Sequence, residues 1–255
     1  MGHGIAQRMT SPPDTTAPGI RLCGRHSIAN SVLFDADIAL GAAEWTCLLG
    51  PSGVGKSTVL RLIAGLDTGG GFDGAITATD GAPIEGRLGY MAQSDLLMPW
   101  LSVMDNVVIG AKLRSEAPDH ARARTLLDRV GLRAHAHKTP AALSGGMRQR
   151  AALARVLMED RPIVLLDEPF SALDAGTRAD MQELAAEVLH GKTVLLVTHD
   201  PAEAARLGHQ ILVMSAQGAM PWPAPTTPPI RAIEAPDTLA CQSALLAHLR
   251  EVQAA

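Results

Sequence analysis

An α/β fold with a buried parallel sheet follows from three features of the chain. The runs Ile163–Leu166 and Thr193–Val197 are continuously apolar and lie between stretches of helical periodicity, the pattern of strands covered on both faces. A third apolar run, Trp45–Leu49, leads straight into the glycine-rich string Gly50-Pro51-Ser52-Gly53-Val54-Gly55 and then into a helix expected from Ser57 to about Ala64. Strand, tight turn and helix in that order are the opening of a strand–helix–strand unit.

The remaining elements follow in order. Residues 1–19, with Ser11-Pro12-Pro13-Asp14 and Thr15-Thr16-Ala17-Pro18-Gly19, read as a flexible tail. Short strands are expected over 20–49. Residues 67–87 are rich in Gly and Asp and predict turns with one or two short strands, and Leu88–Gln93 predicts a further strand. Val103 to about Arg133 reads as helical, with Leu126, Leu127 and Val130 on one face. Ser144–Met158 is a second helix, with Met147, Ala151, Ala154 and Met158 at helical spacing. The stretch from about 94 to 158 is therefore a helical insertion in the α/β alternation. The proline-rich residues 215–237 predict irregular backbone, and Asp237 caps a last helix to Gln253 with Leu245, Leu249 and Val252 on one side. The division expected is a tail over 1–19, one main domain over 20–215, and a closing segment over 216–255.

Composition narrows the class. Of 255 residues, 47% are hydrophobic and only 3% aromatic, so the core must be built mainly from Ala, Leu, Val and Ile. A net charge of −4 argues against a nucleic-acid partner. The three cysteines, Cys23, Cys47 and Cys241, have neither metal-ligand spacing nor an even count for a disulfide framework. Cys47 sits in an apolar run and reads as core. No run of about 18 apolar residues could cross a membrane, and the N-terminus lacks the regions of a signal peptide.

The chemistry is concentrated in three strings. Gly50-Pro51-Ser52-Gly53-Val54-Gly55-Lys56-Ser57 fits a phosphate loop set between a strand and a helix, with Thr58 next in the helix. Glycines there let backbone N–H groups turn toward phosphate oxygens, and the helix start adds its positive end. Lys56 can reach the β- and γ-phosphates, and Ser57 can hold Mg²⁺. Asp167-Glu168 closes the apolar run Ile163–Leu166. Asp167 can hold Mg²⁺ through water, and Glu168 can orient or deprotonate an attacking water. Leu143-Ser144-Gly145-Gly146-Met147 opens a helix. Ser144 is either a plain N-cap there or, with the helix dipole, a second contact for a γ-phosphate.

In this order the motifs resemble the nucleotide-binding subunits of ATP-binding cassette (ABC) transporters over roughly residues 20–215. The resemblance implies a P-loop NTPase with a RecA-like parallel-sheet core, a small antiparallel β-subdomain and an inserted helical subdomain. It further matches Gln93 to the family's Q-loop glutamine, Ser171-Ala172-Leu173-Asp174 to its D-loop, and His199 in Thr198-His199-Asp200 to its switch histidine. By the same resemblance Gln93 senses metal and attacking water, and His199 contacts the γ-phosphate. Ser144, Gly145, Gly146 and Asp174 belong to the nucleotide site shared with a second subunit. The cofactors implied are ATP and Mg²⁺. The partners implied are a second copy in a nucleotide-dependent homodimer, membrane permease subunits and, indirectly, a solute-binding protein, with the chain peripheral on the cytoplasmic face of the membrane.

One departure stands out. The family commonly stacks an aromatic residue on adenine ahead of the phosphate loop, where this chain reads Arg25-His26-Ser27-Ile28. Stacking on His26 or packing on Ile28 are the substitutes available. The segment Leu96-Leu97-Met98-Pro99-Trp100-Leu101 after Gln93 resembles importers of the nitrate, sulfonate and taurine group and the thiamine-precursor transporters. There Leu97, Met98, Pro99 and Trp100 would meet a coupling helix of the permease; the competing reading makes Trp100 a core residue. A solute-import ATPase is therefore expected. The alternatives are a soluble ATPase of the same superfamily, such as one serving iron–sulfur cluster assembly, or the ATPase half of an exporter.

Overall fold

The computed structural model describes residues 17–254 other than 30 and 216. The element order is β1 (Ile20–Ile28), β2 (Ser31–Leu40), β3 (Trp45–Leu49), α1 (Lys56–Ile63), β4 (Gly71–Ala78), β5 (Leu88–Met91), α2 (Val103–Val107), α3 (Ile109–Leu113), α4 (His120–Arg129), α5 (Gly145–Met158), β6 (Ile163–Asp167), α6 (Ala175–Val188), β7 (Thr193–Val197), α7 (Pro201–Leu207), β8 (Gln210–Ser215), β9 (Gly218–Trp222) and α8 (Pro236–Ala254).

Two sheets form. The larger has the order β5-β6-β7-β3-β8-β9. Its first five strands are parallel, and β9 is antiparallel to β8. β3, β6 and β7 are buried at every residue, as continuous apolar runs require. The smaller sheet is antiparallel, β2-β1-β4, and its apolar face, with Ile20, Leu22, Phe34 and Ile38, packs with α1 in one core cluster. The other cluster joins the far side of the large sheet to α2, α4, α5 and α6. The chain is thus an α/β molecule with a parallel core, an antiparallel flank and a helical layer over 103–158.

Several local expectations change. The long helix foreseen over 103–133 is three helices, because the backbone turns at Val108 and Ser115 takes a positive φ of 59°. Pro118, lacking an N–H, stands just before α4. Residues 17–19 are buried, and the Thr193 hydroxyl donates to Pro18 O at 2.8 Å; residues 1–16 of the foreseen tail lie outside the described residues. The proline-rich stretch is not wholly irregular, since Gly218–Trp222 pairs as β9 on the sheet edge, where a proline such as Pro221 is tolerated. After β9, buried Arg231 pins the chain to the end of α7, donating to Ala205 O and Gly208 O at 2.8 Å each and to Thr227 O at 2.6 Å. α8 buries Leu245 and Leu249 and stacks His248 on Trp222 with ring centroids 4.8 Å apart.

Candidate nucleotide site

Strand order builds the site. Four adjacent parallel strands, β5-β6-β7-β3, end on the same edge of the sheet. Gln93 follows β5, Asp167 ends β6 with Glu168 next, His199 follows β7, and the glycine-rich loop follows β3. Side chains distant in sequence therefore meet where open α/β sheets hold ligands.

The loop's shape demands its glycines. Gly53 and Gly55 have φ values of 79° and 105°, and a Cβ on Gly55 would stand 2.8 Å from the Phe34 ring. β2 thus fixes how the loop enters α1. α1 has Gly55 at its N-cap and no side-chain cap, whereas Ser144, Asp174 and Asp200 cap α5, α6 and α7. Its first N–H groups are consequently free for an anion. Ser52, Gly53 and Ser57 are exposed, Pro51, Val54 and Thr58 half-buried, and Gly50 and Gly55 buried. A cavity of about 930 Å³ borders Pro51, Ser52, Gly53 and Val54.

Lys56 is folded over this loop, donating from Nζ to Gly50 O and Pro51 O at 2.8 Å each. Burial lowers its pKa, while Glu168 and Asp167 act to raise it. Burial pushes the Asp167 carboxyl up; hydrogen bonding by Ser57 opposes this, repulsion from Glu168 adds to it, and Lys56 attracts. Ser57 and Asp167 are therefore side by side.

Glu168 is the centre of the constellation. Its Oε2 lies 3.4 Å from Gln93 Nε2, and its Oε1 lies 3.2 Å from His199 Nδ1. Its φ is +50°, in the sparsely used left-handed region. The surroundings hold it there. Its N–H donates to Val197 O at 2.9 Å, and its carbonyl accepts from Gln149 Nε2 at 2.9 Å and from Ser171 Oγ at 3.0 Å. A strained backbone fixed from three sides is a feature of functional sites.

The residues expected to act across a subunit boundary do not join this group. Ser144 accepts from Met147 N at 3.3 Å, capping α5, and Asp174 accepts from Thr177 N at 3.1 Å, capping α6. Ser144, Gly145 and Asp174 are exposed. A Cβ on Gly146 would stand 3.1 Å from Ala172 O, so the start of α5 packs on the segment leading to α6.

Two expectations about the flanks are corrected. His26 is fully buried, stacked on Phe34 at 5.6 Å and bonded through Nε2 to Thr68 at 2.8 Å, so it is not free to take a base; Ile28 and Val32 beside it are 42% and 56% exposed. Leu97 is 7% exposed and belongs to the core, so it is no surface contact, whereas Trp100 is 74% exposed and is no core residue. Buried Asn106 sets this arrangement by accepting from Met98 N at 2.7 Å and donating to Ser102 O at 3.0 Å. Arg155 and Arg148 of α5 also hold the segment, through Asp95 O at 2.7 Å and Asp95 Oδ2 at 3.0 Å.

Sequence reasoning missed Gln149 as the brace of Glu168. A glutamine two residues past Met147, on the face carrying Leu153 and Val156, was the available signal: a polar residue there must find partners.

Comparison with known proteins identifies the family. The family model described as ABC transporter matches residues 33–171. A Haemophilus influenzae protein described as an ABC transporter ATP-binding protein is 50% identical over 67% of this chain and 70% of its own. The aliphatic sulfonates import ATP-binding protein SsuB 1 of Rhodococcus jostii is 44% identical over 81% of this chain and 83% of its own. Its Escherichia coli counterpart, SsuB, is 44% identical over 74% of each. The chain belongs to the ABC transporter family, as an ATP-binding, ATP-hydrolysing subunit.

Proposed function

We propose that this subunit powers import of a small anionic solute of the sulfonate type through a separate permease, with Glu168 as the base that activates water. The observation that carries the chemistry is the Glu168 carboxylate set between Gln93 and His199, near enough to Lys56 of the phosphate loop to act on its charge. A carboxylate so placed can take a proton from water while Lys56 and the open start of α1 neutralise phosphate charge. Gln93 orients the water and His199 meets the γ-phosphate.

The donors fit Mg²⁺. Ser57 offers an exposed hydroxyl and Asp167 a buried carboxylate next to it, with Gln93 close to Glu168. Among the described residues no group of three or more His, Cys, Asp or Glu side chains could hold a metal alone, so the ion would share its ligands with phosphate oxygens and water. When bound, it would neutralise charge on the phosphates.

Ser144, Gly145 and Asp174, exposed, and Gly146, half-buried, serve the nucleotide of a second copy, so that two sites close head to tail. Leu96, Pro99 and Trp100 form the exposed face that receives the permease. No described helix is long and apolar enough to cross a membrane, and docking on the permease places the subunit peripherally on the cytoplasmic side. The sulfonate class rests on the relatives' names, because the solute is handled by other chains. The experiment is uptake of a labelled aliphatic sulfonate by vesicles carrying the permease and this subunit. Uptake should need ATP and fail with Glu168→Gln; ATP-driven uptake of other solutes alone would reject the sulfonate class.

A further inference from the structure

We infer that Arg178 is a positioning residue for His199, acting through Asp200. The inference rests on the proposed role of His199 in hydrolysis and adds the device that places it.

The His199 imidazole is 63% exposed, and among the described residues its ion-pair contact is to Glu168. Its orientation must therefore come from the backbone on either side, and both neighbours are tied down. Thr198 is 2% exposed and donates from Oγ1 to Glu203 Oε2 at 2.6 Å; the same oxygen accepts from Asp200 N at 3.0 Å. Asp200 Oδ1 accepts from Ala202 N at 2.8 Å, capping α7, and Oδ2 accepts from Arg178 Nη1 at 3.2 Å. Arg178 Nη2 donates to Leu173 O at 3.0 Å.

Arg178 thus joins two segments that flank the reacting region. One is 171–174, whose start is bonded to the Glu168 carbonyl through Ser171. The other is the 198–200 turn that carries His199. A guanidinium is suited to this task because its planar fork reaches two acceptors in fixed geometry. Asp200 and Arg178 are each about one third exposed, so the pair adds little to stability; its consequence is geometric. Placement matters steeply in catalysis, where an error near 1 Å costs about a hundredfold.

The test is steady-state ATP hydrolysis and ATP affinity for Arg178→Met, Asp200→Asn, the double variant and His199→Ala. Arg178→Met keeps the apolar stem and removes both donors; Asp200→Asn keeps the helix cap and removes the charge. Each single variant should lower kcat by about tenfold to a hundredfold with ATP affinity changed less than twofold. The double variant should be no worse than the poorer single one. If Arg178→Met does not fold, Asp200→Asn must show the loss alone. Unchanged kcat, independent multiplied losses, or affinity falling in step with kcat would overturn the inference. Full activity in His199→Ala would instead overturn the reading of His199 on which it rests.

Discussion

Glu168 Oε1 stands 3.2 Å from Nδ1 of His199, although the two residues follow different strands. Parallel pairing of β6 with β7 in register, Asp167 opposite Val197, is what brings them together. The contact joins the proposed base to a largely exposed imidazole whose backbone is tied on both sides, through Thr198 and Asp200. The rigid member is Glu168, held through its own backbone by Val197, Gln149 and Ser171.

Trp100 and Leu97 separate docking from folding. Trp100→Ala removes an exposed ring, so melting temperature and basal ATPase activity should stay at parent values. If the ring is the anchor of the permease contact, affinity for the permease should fall by about 2 kcal/mol or more. Leu97→Ala opens a cavity in the core and should cost about 2–5 kcal/mol of stability. Thermal melts and permease pull-down on both variants decide this; unaltered permease affinity in Trp100→Ala rejects the docking role.

Glu203 makes stability depend on pH. Burial pushes its carboxyl up from 4.5 to about 7; the Thr198 hydroxyl and the charges of Arg178 and His199 oppose this, and Asp200 adds to it. Between those values the folded protein keeps a proton that the unfolded chain has lost. The stabilising contribution is therefore present at pH 4.5 and is lost as pH rises through about 7, amounting to about 3 kcal/mol. Glu203→Gln, which keeps an acceptor for Thr198, should raise the melting temperature at pH 8 and leave it unchanged near pH 4.5. An equal shift at both pH values would exclude titration of Glu203 as the cause.

Sharing of nucleotide between copies has a direct complementation test. Lys56→Ala disables the phosphate loop and Ser144→Arg blocks the turn proposed to close over the partner's ATP. Each variant alone should be inactive. Mixed dimers of the two should regain one complete site and about half the occluded ATP of the parent, read by filter binding. Mixtures that trap no ATP would mean that each chain acts alone.

The large features were legible because they are local or periodic. Continuous apolar runs marked β3, β6 and β7, and the glycine string needs the positive φ values seen at Gly53 and Gly55. What escaped reading depends on contacts made only after folding. Gln149 and Arg178 act on carbonyls supplied by distant segments, so neither has a sequence signal of its own. The closing segment looked irregular because Arg231, which organises it, bonds to backbone rather than to a recognisable partner. Leu97 and Trp100 were alike in hydrophobicity; their opposite fates are set by the Asn106 clamp on Met98.

The most direct test is ATP binding and turnover by Glu168→Gln in the same preparation. Glutamine keeps the shape and the contacts with Gln93 and His199 but cannot accept the water's proton. ATP affinity should match the parent, and turnover should fall by about 10²–10⁴-fold. Turnover near the parent level, with affinity intact, would contradict the assignment of Glu168 as the base.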